Sequence, residues 1–277
     1  MVKKLFRHEI AYYMRSMLPV YCILGAIAVF GRIIQFFEAN NTVYGTLSAI
    51  SILSYVFGII AVIAMSYVFT ITRFYRHLFT SEGYLSFTLP VTPTQHILTK
   101  LATAVITHAA SLVVILLSLC IITAGDVLFE VCKALFYLLD QIPTLLAEAV
   151  RGTTAAQWEA NLWLFAIEFI LAMLVARIYQ LLLFYGCITV GQMFHKNRVL
   201  AAVGVYFGYY LATQAIGTVF VIMSTFLPWE SLGELFVEAP ALCIHWVMWG
   251  SIILSLVLSV ALFVVSHSII RHKLNLE

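Results

Sequence analysis

Residues 239–270, APALCIHWVMWGSIILSLVLSVALFVVSHSII, contain no Asp, Glu, Lys or Arg. A helix of about 20 apolar residues crosses the roughly 30 Å hydrocarbon layer of a bilayer, so this run is long enough to span one. The stretches 39–72, 101–125 and 199–229 are equally free of charge. All are far longer than the roughly 9–11 residues of a barrel strand, and none alternates apolar with polar. In lipid, a helix satisfies its backbone donors and acceptors within its own segment. Helical spans are therefore the expectation.

Composition generalises that reading. The chain has 277 residues, is 63% hydrophobic and only 10% charged, and its mean hydropathy is +1.01. Soluble domains run near 45–50% apolar and about 25% charged. So few charges cannot solvate a soluble surface. The soluble globular, disordered, disulfide-framework and nucleic-acid-binding classes are excluded. The expected fold is all-α: one polytopic transmembrane domain over 1–277, with six spans near 17–37, 47–71, 99–124, 161–193, 199–227 and 242–270.

Charge placement predicts orientation. With the N terminus inside, the inner stretches carry eleven of the fifteen basic residues, among them Lys3, Lys4, Arg7, Arg73, Arg76, Lys100 and Arg271. The outer connections carry Lys133 and Arg151 together with nine acidic residues, as the positive-inside rule requires. Both termini are expected in the cytoplasm and the chain in the plasma membrane. The basic start followed by an apolar run resembles a signal peptide, but five further spans make an uncleaved anchor the expectation. The five cysteines form no CxxC pair and are expected as buried small apolar residues.

Four segments are not spans. Residues 1–16 include KKLFRHEIAYYMRS, which places Phe6, Ile10, Tyr13 and Met17 on one face and Lys4, His8, Ala11 and Arg15 on the other. That pattern fits an amphipathic helix in the inner headgroup plane. The outer connection 125–160 repeats Leu128, Val131, Leu135, Leu138 and Ile142 at helical spacing, and Pro143 is expected to break or restart that helix. Thr154 and Gln157 suit a capping box opening the fourth span, with Trp158 and Trp163 in the interfacial belt. The outer element 228–241 carries Glu230, Glu234 and Glu238 on one helical face. The inner loop 72–98 is rich in apolar side chains that need cover. A short helix over 73–80 is expected there, stopping near Gly83, which tolerates a left-handed backbone. Thr92, Pro93 and Gln95 then give a helix start for the third span. The aromatic protrusion reads as a docking element for another protein, with burial among lipid headgroups as the alternative.

Catalytic chemistry is hard to find. There is no GxxxxGK[ST], GxGxxG or GxSxG, and His8-Glu9 is followed at the second ligand position by Tyr12. The eight histidines lack metal-ligand spacing, and no metal is expected. Three charges fall within spans: Arg32, Glu168 and Arg177. Each costs about 2.5–3.5 kcal/mol at a helix centre on insertion scales, so each should face protein or water. Arg32 and Glu168 lie at similar depth and could pair. Arg177 is expected at a subunit interface or polar cavity, unless it snorkels inward. Gly204, Gly208 and Ala212 give the fifth span a small-residue stripe suited to close helix contact.

The segment FYRHLFTSEGYLSFTLPVTPTQHILTKL, 74–101, following an apolar second span, resembles the corresponding stretch of bacterial ABC exporter permeases of the second type. The resemblance implies a permease that pairs with an identical or related permease and with two separate cytoplasmic ABC ATPase subunits. ATP and Mg would then belong to that partner, with no cofactor in this chain. It also implies that the connection between spans two and three couples to the ATPase through Arg76, Glu82, Gly83, Tyr84 and Leu85, with Phe74 and Phe79 as packing. The expected function is the permease of an exporter for an amphipathic peptide, drug or lipid-like substrate, not an enzyme in its own right. A stand-alone channel or ion-coupled carrier using Arg32, Glu168 and Arg177 is the alternative.

Overall fold

A computed structural model of the chain describes residues 2–36, 42–80, 83, 91–124, 126–149, 155–194, 197–226, 228 and 240–272. Seven long helices carry most of these residues: α1 (Val2–Phe36), α2 (Thr42–Phe79), α3 (Pro93–Ile122), α4 (Asp126–Ala149), α5 (Ala155–Gly191), α6 (Arg198–Ser224) and α7 (Pro240–His272). No strand occurs among the described residues. All but α4 are long and apolar enough to cross a membrane, with candidate spans Lys3–Gln35, Tyr44–Phe79, Pro93–Ile122, Asn161–Gly191, Arg198–Ser224 and Pro240–Arg271. The chain is a multi-pass, all-α membrane protein.

The helices overrun the spans expected from charge alone. α2 has 38 residues, about 57 Å at 1.5 Å per residue. The short helix expected over 73–80 is therefore the final turns of α2, where Arg76 and His77 also suit the negative end of the helix dipole. The N-terminal amphipathic segment is helical too, and it continues into the first span without a break, through Pro19. α4 likewise continues through Pro143, which neither stops nor restarts it. A proline removes one amide donor and strains one turn, and the helix absorbs that local loss.

α3 starts where its sequence says it should. Thr92 Oγ1 accepts from the Gln95 amide at 3.4 Å, and Gln95 Oε1 accepts from the Thr92 amide at 3.2 Å. Pro93 occupies the first helical position, where an amide proton would have no partner. At Gly83 the expected left-handed backbone is absent. A Cβ there would lie 2.5 Å from the Leu78 carbonyl oxygen. Room, not handedness, selects glycine at this position.

The spanning helices group into two compact units, α1–α3 in one and α5–α7 in the other. In the first, Leu24 and Ala28 of α1 meet Tyr55 and Val62 of α2 and Ile122 of α3. Gly31 lets α1 approach closely: a Cβ there would meet Ser51 Oγ at 2.7 Å and Ile122 Cδ1 at 3.2 Å. In the second, α5 packs on both α6 and α7. Nearly every residue from Leu181 to Thr189 is buried. α7 buries Ile252, Ser259 and Ser266, a seven-residue repeat, which is the period of a left-handed helix seam. Gly186 faces Leu262 and Ser266 across it. Small residues replace bulk at such contacts because lipid gives no hydrophobic push between helices. All five cysteines are free, and Cys187 alone is buried while Cys22, Cys120 and Cys132 are exposed. The expectation of general burial fails because a lipid-facing surface accepts an apolar thiol as readily as a core does.

Candidate functional site

One carboxylate organises the end of the first unit where α1 begins, α2 ends and α3 begins. Glu9 is 1% exposed. Arg73 Nε donates to its Oε2 at 3.1 Å, and Lys100 Nζ donates to its Oε1 at 3.1 Å. His77 Nε2 lies 3.8 Å from the same Oε1. The Arg73 guanidinium also covers the ring of the exposed Tyr12, 4.0 Å from its centroid, a cation–π contact. Helix periodicity explains the assembly: Glu9, Tyr13 and Met17 follow one another at four-residue spacing on the buried face of α1.

A polar seam continues inward from this cluster. α3 buries Thr99, Thr103, Thr107, Ser111 and Ser118, spaced by four, four, four and seven residues. Thr70 Oγ1 lies 3.2 Å from His108 Nε2, with the Tyr67 ring edge-on to that imidazole. Ser111 Oγ is a hub, 2.9 Å from Ser66 Oγ and 2.7 Å from the Tyr21 hydroxyl. Further along, the Tyr55 hydroxyl meets Ser118 Oγ at 2.9 Å. Lys100 to Ser118 is about 27 Å of helix, close to the hydrocarbon thickness. Most of these hydroxyls also donate to the carbonyl four residues back, so few polar atoms of the seam face hydrocarbon unsatisfied.

The second unit holds another buried acid. Glu168 of α5 accepts from Trp249 Nε1 at 2.8 Å, and its second oxygen lies 2.7 Å from His245 Nδ1. Phe165, one turn earlier, stacks on the His245 ring with centroids 4.4 Å apart. Within its own unit, the partners of Glu168 are thus on α7. Depth along two spans does not specify which helix faces which. Beside this network, Leu242, His245, Trp246 and Trp249 line a hollow of about 310 Å³.

The other sequence-derived candidates are dispersed. Phe74 and Phe79 are buried with their rings edge to face, 5.9 Å apart, while Arg76 is exposed. Glu82, Tyr84 and Leu85 lie outside the described residues, as do Thr154 and the element around Glu230, Glu234 and Glu238. Arg177 is on the exposed face of α5. Gly204 and Gly208 face open space, and Ala212 is exposed, on a helix that buries no residue. Trp158 is buried and Trp163 is 77% exposed. Among the described residues no group of three His, Cys, Asp or Glu could hold a metal ion.

Sequence reasoning missed the Glu9 cluster because its partners lie 64 and 91 positions away. A signal was present: Glu9 is the one acid among the basic residues of 3–16, on the stripe otherwise occupied by Tyr13 and Met17. In comparisons with known proteins, no family model, no curated protein and no solved structure matches the chain.

Proposed function

We propose that this chain is the permease subunit of an ATP-driven bacterial ABC exporter, seated in the cell membrane with both termini in the cytoplasm. It forms half of a passage for an amphipathic peptide, drug or lipid-like substrate and draws its energy from separate ATPase subunits. A second permease, identical or related, supplies the other half. The observation that carries the reading is the placement of Glu9. It ties α1 to both ends of the 74–101 segment, through Arg73 just before it and Lys100 within its last residues. A push on that segment by a docked ATPase would reach three spanning helices through one buried joint, which is mechanical coupling between two sites.

Co-purification tests it. The chain should carry an ATPase subunit with it, and Glu82→Ala or Tyr84→Asp should uncouple substrate-stimulated ATP hydrolysis. Isolation without any ATPase, together with unchanged transport when cellular ATP is depleted, sinks the reading.

The seam of hydroxyls and imidazole along α3 favours a second reading, an ion-coupled carrier acting alone. Purified chain in liposomes would then move substrate under an ion gradient without ATP. A Ser111→Ala, His108→Leu variant would lose that movement.

A further inference from the structure

We infer that the hollow on α7 binds an alkylammonium group, the cationic head of an amphiphile. The argument starts with charge. Glu168 is 8% exposed within a spanning helix, and its ion-pair contact within its own unit, among the described residues, is His245 Nδ1 at 2.7 Å, a cation only when that imidazole is protonated. Trp249 Nε1 and a neutral imidazole donating through His245 Nδ1 orient the carboxylate and leave it its charge. A buried acid in that position calls for a cation.

The walls suit a particular kind of cation. Trp246 is 72% exposed and Trp249 46% exposed, and with His245 and Leu242 they line the hollow. Indole faces are the best aromatic partners for a cation, and quaternary ammonium ligands are held in cages of this composition. Trp249 adds a specific feature: its N–H is engaged by the carboxylate, so its ring is fixed beside the negative charge. The volume, about 310 Å³, sits at the lower end of ligand sites. That suits a headgroup, with its alkyl chain left on the apolar surface of α7, where Val247, Ile253 and Leu254 are exposed. A hydrated metal ion would find no further oxygen ligands here among the described residues.

The probe is dodecyltrimethylammonium, titrated into purified protein in maltoside micelles and followed by tryptophan fluorescence, with dodecyl sulfate as the anionic control. The expected result is saturable binding of the cation alone. Glu168→Gln, which removes the charge while keeping the size and one acceptor oxygen, and Trp246→Ala, at an exposed side chain, should each weaken it tenfold or more. Trp163→Ala should leave it unchanged. Native mass spectrometry in mixed phosphatidylcholine and phosphatidylglycerol separates the sources. Retained phosphatidylcholine that Trp246→Ala releases points to a lipid headgroup, and binding of the free amphiphile alone points to a membrane-dissolved cation. Equal affinity in wild type, Glu168→Gln and Trp246→Ala, or equal binding of dodecyl sulfate, overturns the inference. The readout requires neither ATP nor a partner, so it stands or falls apart from the exporter reading.

Discussion

Lys100 donates to Glu9 across 91 positions of sequence, at 3.1 Å and out of reach of water. With Arg73 on the other oxygen, this contact makes the beginning of α1 a structural part of the connection between α2 and α3. Burying such a set is not by itself stabilising, because desolvation offsets most of the attraction. Breaking it is another matter. Glu9→Ala leaves two buried cations without their carboxylate and should destabilise the protein by about 3–5 kcal/mol. Thermal unfolding in detergent would measure this. A double-mutant cycle of Glu9→Gln with Lys100→Met should return a coupling of about 0.5–3 kcal/mol, and a coupling near zero would separate the two residues.

The start of α3 can be tested alone. Thr92→Ala removes the acceptor for the Gln95 amide and should cost about 0.5–2 kcal/mol, the range for lost N-caps. Thr92→Ser keeps the oxygen and should cost little. If the two variants unfold at the same temperature, the cap contributes nothing measurable.

How much of this was readable beforehand divides along a physical line. Features set by neighbours in sequence were legible: the charge-free runs that became α2, α3, α6 and α7, and the Thr92–Gln95 box. Boundaries were less so, because aromatic and polar turns such as 72–79 carry a helix past its apolar run once other helices cover them. Contacts between distant segments were not legible. Glu168 was visible as a charge within a span, yet its partners on α7 could not be deduced, since a sequence gives depth along a helix but not which neighbour it faces. Glu9 was hidden for a related reason: it stood out only as part of an incomplete HExxH, and its partners on α2 and α3 lie 64 and 91 positions away.

The seam residue Ser111 joins α3 to both α1 and α2, but its replacement should have a modest effect. Hydrogen bonds between membrane helices average about 0.6 kcal/mol in double-mutant cycles. Ser111→Ala should therefore lower stability by about 1 kcal/mol for its two partners. A much larger loss in unfolding experiments would mean that the seam acts as one cooperative network.

Glycines discriminate packing inside this chain from packing against another. At Gly191 a Cβ would stand 2.6 Å from the Cα of Ala202, a clash with backbone that no rotamer can relieve. Gly191→Ala should force α5 and α6 apart and destabilise the second unit by about 1–3 kcal/mol, the usual range for overpacking. At Gly204 and Gly208 an added Cβ meets nothing within 4 Å. Alanine there should be neutral or slightly stabilising, because glycine in a helix interior costs roughly 0.5–1 kcal/mol relative to alanine. Bulkier changes make the stripe informative. Gly204→Leu with Gly208→Leu should leave the isolated chain folded, and if a second permease packs on α6 it should abolish that association in cross-linking or size-exclusion measurements. Unchanged association would move the permease contact to another helix.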